Sequence, residues 1–558
     1  MKKWIVSACL LMVQAGAWGK ITLPDIVSDN MVLQQQAEAC LWGKANANAE
    51  VIIRPSWNRE VYKVTADAEG KWVAKIQTPT ASYQAYTISI SDGEEVKLNN
   101  VLVGEVWFCS GQSNMEMPLR GFVNCPIAGA NEAIATSSKW KGIRVATVEK
   151  NGQVKPVDSC KGSWKVSNPE NAPAFSATAF HFAMMMNQVL DIPIGIINCS
   201  WGGSMVEGWL PREVVSQYPD IDLKKDIRKE DGHDWWHYLS PTLMYNGMLK
   251  PLQNYTIKGF LWYQGESNVG KHKTYAERLK TMVELWRKEW GLGELPFYYV
   301  EIAPFNSTET TGCAYLREAQ FKAQSIISNS GMISTNDLVE PYEIKNVHPK
   351  NKTDVGKRLA YMALSKTYHV PGIEACGPVY KSMEVKGGVA ILSFDHAEEG
   401  FNRLSGMEGF EVAGNDKVFY PAKAEVFNNS QIKVTCDKVA QPVAVRYCFR
   451  DFQPGNVANL RELPLYPFRT DNWESADSSH IIKPDLPCGR QVRLLFCVCM
   501  VRFILLLPDT IPGWHNHLIY DSLPDEYKEF PGRFPSGMLH CRLSLQRATA
   551  DCQSGSTL

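Results

Sequence analysis

The chain has 558 residues, 45% hydrophobic and 21% charged, with 58 Lys and Arg against 59 Asp and Glu. That length favours two or more domains, and the composition is that of a globular protein rather than a disordered or fibrous one. A formal net charge of −1, with no basic block along the chain, gives no reason to expect a nucleic-acid partner or an acidic membrane surface.

Residues 1–19 have the form of an export signal peptide. Lys2 and Lys3 form a basic start, and the apolar run over residues 4 to about 17 is too short to span a bilayer. Ala17-Trp18-Gly19 then offers small residues where a signal peptidase cuts, so the mature chain is expected near Lys20, periplasmic or secreted. Export raises the question of disulfides, but the 15 cysteines are scattered without a regular framework. Cys109 and Cys199 fall inside apolar runs, where a free buried thiol is expected. No HExxH, no CxxC pair and no His/Cys cluster at zinc spacing occurs, so no metal is indicated.

Residues 20–100 read as an N-terminal β module: "ACLWG", "EVIIRPSW", "KWVAKIQT" and "YTISIS" are short β-rich runs between polar or Gly/Pro breaks. Residues 101–370 alternate strand and helix, with apolar strands expected at 101–109, 192–199, 257–264, 296–303 and 332–336. In "SATAFHFAMMMNQVL", Ala179, Phe182, Ala183, Met186 and Leu190 share one helical face. In "TYAERLKTMVELWRKEW", Leu279, Met282, Val283, Trp286 and Trp290 do the same, and both stripes are core. The predicted class is therefore α/β, a mostly parallel sheet covered by helices with its site at the carboxyl ends of the strands. Residues 371–473 return to β grain in "GGVAILSFD", "GFEVAG", "AEVFNNSQIKVTC" and "PVAVRYCF", so sandwich-like modules are expected on both flanks. Residues 474–558 lose that alternation and read as an atypical tail, non-native or disordered. Its apolar run "VRLLFCVCMVRFILLLP" is interrupted by Arg502 and is no convincing membrane span.

Four segments end strands on small or polar residues. They are Gly111-Gln112-Ser113-Asn114, the Gly202-Gly203 pair in "NCSWGGSMVEGW", Gly265-Glu266-Ser267-Asn268, and His348 on a Pro-bounded loop before a helix. Singly, Ser113 is a helix cap, Gly202-Gly203 a tight turn and His348 a structural histidine. Together, at the strand ends of one sheet, they are what acyl transfer needs. A serine hydroxyl needs a base to take its proton, and His348 is the candidate for Ser113. The tetrahedral intermediate needs fixed donors, expected from the backbone N–H groups of Ser113 and Gly203 and the side-chain amide of Asn268.

These residues, with "GQSNMEMPL", "INCSWGGSMVEGWLP", "LMYNGMLKPL", "GFLWYQGESN", "LPFYYVEIAPF" and "HPKNKTDVGKRLA", resemble the SGNH (GDSL-like) hydrolases. More narrowly, the chain resembles the sialate O-acetylesterase family of exported carbohydrate esterases over residues 20–473, including "LPDIVSDNMVLQQ" and "LPLYPFRTDNW". The resemblance implies a flavodoxin-like sheet, removal of O-acetyl groups from sugars, no cofactor, and an acetyl-enzyme on Ser113. By their position beside the expected nucleophile alone, Gln112 and Glu266 are candidate substrate-binding residues. Many SGNH enzymes carry Asp three residues before the histidine; here that place is Lys345. The carboxylate orienting His348 is then expected to be Asp337, with Glu343 or a backbone carbonyl as alternatives. Trp201, with Trp235 and Trp236, is a candidate sugar platform, against the alternative that these rings are packing. Two other readings stay open: an acetylxylan or hemicellulose esterase of the same fold, and a non-catalytic sugar-binding protein on an esterase-like scaffold.

Overall fold

The computed structural model describes residues 21–229, 236–306 and 312–473. The expected signal peptide at 1–19 and the atypical tail at 474–558 lie outside the described residues.

One strand, Glu95–Gly111, organises the molecule. Its first half pairs antiparallel with Ser82–Ser91. Its second half runs parallel to Ile194–Ser200 on one side and Gly259–Tyr263 on the other. Exposed and buried positions mix up to Asn100, whereas every residue over 101–111 is buried. A strand of an antiparallel sheet with one wet face thus becomes a parallel strand covered on both faces. The module boundary expected near residue 100 falls inside this continuous strand.

Phe297–Val300 and Ser330–Ile333 extend the parallel sheet beyond Gly259–Tyr263. On the other side lie Ile143–Thr147, parallel, and the antiparallel edge Trp164–Val166. Without those two edge strands, the five central strands, counted in chain order, run 2-1-3-4-5. That doubly wound order opens a crevice beside the carboxyl end of the first strand. All five expected parallel strands are present, while Ile143–Thr147 was not foreseen. Its second residue, Arg144, breaks the apolar pattern, yet it is buried because its guanidinium donates to the carbonyls of Asn30 (2.9 Å) and Asn100 (2.8 Å).

Alternate residues of the central strand face opposite cores. Trp107 and Cys109 pack into a cluster with Phe180, Phe182 and Leu359, from helices Ala177–Leu190 and Lys352–Lys366. Val106 and Phe108 pack into a cluster with Met282, Trp286 and Leu316, from helices His272–Trp290 and Gly312–Ile326. Both sequence-predicted apolar stripes are core, with only Leu190 at the margin.

The N-terminal block shares its last strand with the parallel sheet, whereas the C-terminal block forms sheets of its own. In the N-terminal block, Glu38–Lys44 pairs with Lys71–Gln77, whose residues alternate strictly between exposed and buried. The C-terminal block has two four-stranded antiparallel sheets that share one core, including Leu392, Phe410, Ile432 and Val445. It is fastened to the ends of the outer parallel strands. Arg317, 1% exposed, donates to the carbonyls of Cys448 and Arg450, Asn336 Nδ2 donates to Leu465 O (2.8 Å), and the Tyr466 hydroxyl donates to Met332 O (2.5 Å).

Gly111 closes the central strand at φ +132°, and a Cβ there would sit 2.2 Å from the carbonyl oxygen of Tyr263 on the adjacent strand. Gly111→Ala is expected to cost about 2–3 kcal/mol and lower the calorimetric melting temperature. An unchanged melting temperature would show that the two strands part there without penalty.

Candidate active site

Ser113 stands one residue beyond Gln112, at the start of the one-turn helix Ser113–Glu116. Its hydroxyl does not cap that helix: no side-chain cap is formed there, and Ser113 Oγ lies 2.8 Å from His348 Nε2. His348 is held in its loop by Asn346, whose Oδ1 accepts from His348 N (2.9 Å) and whose Nδ2 donates to His348 O (2.8 Å). The edge of the Phe122 ring meets the imidazole at 5.3 Å between centroids.

The carboxylate expected behind the imidazole is not there. Asp337 forms a two-pronged ion pair with Arg358, Nη1 to Oδ1 at 2.7 Å and Nη2 to Oδ2 at 2.6 Å, so its oxygens are turned to the helix Lys352–Lys366. Glu343 is committed as well, its oxygens accepting from the backbone N–H groups of Glu340 and Lys350, both at 2.9 Å. The contact of His348 Nδ1 is the thiol of Cys125, at 3.9 Å. Among the described residues, the arrangement is a Ser–His pair without an acidic third member.

Two buried residues that sequence reasoning passed over complete the surroundings. Asn114 is fully buried, its Nδ2 donating to Glu266 Oε1 (2.6 Å) and to Val347 O (3.0 Å). Lys352, also fully buried, donates to Asn114 Oδ1 and to Pro349 O, both at 2.8 Å. Burial drives Lys352 down to about 7, against the pull of Glu266, Glu343 and Cys125. Burial likewise raises the Glu266 carboxyl, opposed by its own backbone bond, by Asn114 and by Lys352. His348 is pushed down to about 4, first by burial and then by the nearby charge of Lys352. The sequence offered one weak signal for the first: Asn114 adjoins Ser113. Lys352 opens an amphipathic helix, a place that reads as solvent-facing.

The glycine pair lies against the serine. Gly202 N donates to Glu116 Oε2 (2.6 Å), and a Cβ on Gly202 would come 3.3 Å from Ser113 Cβ. Gly203 adopts φ +78°, which glycine tolerates, and its carbonyl accepts from Ser267 Oγ (2.7 Å). Among the described residues, neither Ser113 N–H nor Gly203 N–H has an acceptor. Asn268 differs from expectation. Its side chain is fully buried, Nδ2 donates to Glu207 Oε2 (3.0 Å), and Oδ1 accepts from Val206 N (3.1 Å) and Gln264 Nε2 (2.8 Å). It braces the Gly203–Val206 loop through Oδ1 and gives one of its two amide hydrogens to Glu207.

Gln112 is the covalent neighbour of Ser113, and Glu266 meets the next residue, Asn114, through Oε1, while its Oε2 is buried without a hydrogen-bond partner among the described residues. Gln112 Oε1 accepts from Gly265 N (3.1 Å) and Ser267 N (3.4 Å), locking the two strand-end turns together. Trp201 is 3% exposed and packs in the core, so its ring offers no open face to a sugar. Trp236 is half-buried under the Lys229 ammonium, and Trp235 lies outside the described residues. Among the described residues no three His, Cys, Asp or Glu side chains gather as a metal site, and no helix is long and apolar enough to cross a membrane.

Comparison with known proteins identifies the family. The model of the family described as carbohydrate esterase, sialic acid-specific acetylesterase, matches residues 103–365. The chain is 23% identical over 485 residues to the sialate O-acetylesterase of Mus musculus, covering 76% of this chain and 88% of that one. It is 22% identical over 481 residues to the sialate O-acetylesterase of Homo sapiens, covering 79% and 89% respectively. A crystal structure of a carbohydrate acetylesterase from Xanthomonas citri superposes with a TM-score of 0.71 at 33% identity, covering 81% of this chain and 100% of that one. The chain belongs to the sialic acid-specific acetylesterase family of carbohydrate esterases.

Proposed function

We propose that the family's carbohydrate O-acetylesterase chemistry is carried out here by Ser113 as nucleophile and His348 as its base, on O-acetylated sugars such as sialic acids. The observation that carries this reading is the 2.8 Å contact between Ser113 Oγ and His348 Nε2 at the switch point of a doubly wound sheet. The names of the curated relatives support the sialic acid substrate.

The imidazole takes the hydroxyl proton as Ser113 Oγ attacks the acetyl carbonyl. The oxyanion is met by the N–H groups of Ser113 and Gly203, with Asn268 steadying the second through Val206. Losing one such donor typically costs about 3–4 kcal/mol of transition-state stabilisation. The sugar oxygen leaves with the proton from the imidazolium, and water, deprotonated by the same nitrogen, frees acetate from the acetyl-serine. A resting base held down to about 4 is unprotonated across the mildly acidic and neutral range. The oxyanion forming beside the ring then raises its basicity as the reaction proceeds.

This amounts to an SGNH-type assignment in which Ser113, Gly203, Asn268 and His348 occupy the four named positions and no carboxylate completes a triad. We assign residues 101–370 to the esterase unit, with β modules at 20–100 and 371–473. The basic start, short apolar run and small cleavage-site residues over 1–19 support export to the periplasm or beyond the cell.

Ser113→Ala is expected to reduce acetate release from acetylated sialic acid, and hydrolysis of p-nitrophenyl acetate, by about a thousandfold or more with an unchanged melting temperature. Turnover at the wild-type rate would remove Ser113 from the chemistry. Because the base works only when deprotonated, kcat/KM must fall as pH drops through the lowered value, placing the acid limb well below 6.5, toward about 4. Asp337→Asn should lower the melting temperature through loss of the Arg358 pair while leaving that limb in place; a shifted limb would return Asp337 to the mechanism.

A further inference from the structure

We propose that Lys352 is a positioning residue for the Ser113–His348 pair, its buried ammonium tying the residue after the nucleophile to the residue after the base. This rests on the reading of Ser113 and His348 as nucleophile and base. The geometry is a clamp on both sides of the imidazole. Lys352 Nζ donates to Pro349 O, just after His348, and to Asn114 Oδ1 (both 2.8 Å). Asn114 Nδ2 in turn donates to Val347 O (3.0 Å), just before His348, and to Glu266 Oε1 (2.6 Å). The carbonyls flanking the base are thus held by one Lys–Asn pair, and that Asn is the covalent neighbour of the nucleophile. Such a clamp fixes the backbone on both sides of the ring, though unlike a carboxylate it gives the imidazolium no compensating charge. Among the described residues, neither Asp337 nor Glu343 reaches His348.

Lys352 occupies its place against two penalties. It is fully buried, and it is the first residue of the helix Lys352–Lys366, where the helix dipole disfavours a cation. Glu266, Glu343 and Cys125 act on its charge, and the Tyr263 ring lies 5.7 Å from Nζ. The groups facing His348 are the Ser113 hydroxyl, the Cys125 thiol and the Phe122 ring, with the Lys352 charge acting from nearby. The ammonium therefore does two things: it fixes the loop carrying the base, and it disfavours protonation of the imidazole.

The experiment uses the full chain with p-nitrophenyl acetate as probe, reading kcat, KM and the acid limb of kcat/KM. Lys352→Met is expected to lower kcat at least about tenfold with KM changed by less than about threefold, since small misplacements of a reacting pair are costly. With the cation gone, the acid limb should move upward, toward the ordinary histidine value. Asn114→Ala should lower kcat similarly, and the double variant should be no worse than the poorer single one. Should Lys352→Met not fold, Lys352→Gln removes the same charge and carries the same readouts. Wild-type kcat, or a lowered kcat with an unmoved acid limb, overturns the proposal. Undiminished turnover in Ser113→Ala would instead overturn the nucleophile assignment, so the two failures are distinguishable.

Discussion

The register of three adjacent strand ends governs this molecule. Gly111 lies level with Ser200 on one side and Tyr263 on the other. Trp201 N donates to Gly111 O, and Gln112 N donates to Tyr263 O, both at 3.0 Å. The chain segments leaving these strands therefore start from the same height on the sheet and bring Ser113, Gly202-Gly203 and Glu266-Ser267-Asn268 together. A side chain on Gly111 would force one of these strands aside. The active-site arrangement is a result of backbone pairing before it is a result of side-chain chemistry.

On that frame sits an unusual concentration of buried polar groups. Asn114, Lys352 and Asn268 are fully buried, and each is linked to at least two other groups. Burying polar atoms is tolerable only when they are hydrogen-bonded, and once satisfied such a network fixes one geometry. Glu207, joined to both Asn268 and Arg278, continues the network into the helix His272–Trp290. Order in the loops around Ser113 is thus derived from rigid elements, although the loops themselves are short and irregular.

Much of this was legible in the chain itself. Apolar runs bounded by small residues marked the parallel strands, and period-3.6 stripes marked the helices that cover them, because both follow from burial alone. The grouping of Ser113, Gly203 and His348 was legible for the same reason: strand ends converge on one edge of such a sheet. What escaped were features decided by partners distant in sequence. The strand Ile143–Thr147 was not foreseen, because the carbonyl acceptors that let its Arg144 be buried lie far away in sequence. Asp337 looked available until Arg358, on another element, took both its oxygens. Lys352 drew no attention at all, since no local pattern announces that a lysine will be enclosed beside an asparagine more than two hundred residues earlier.

The uninterrupted run of Glu95–Gly111 through two kinds of sheet bears on how such a protein can be altered over time. An accessory module joined by a linker can be exchanged or discarded without touching the chemistry it serves. Here the N-terminal sheet has the serine turn at the other end of its own last strand, so any graft or deletion at that boundary must sever backbone already paired on both margins. The N-terminal sheet and the serine turn share a single rod of polypeptide, and a cut between them breaks both sheets at once.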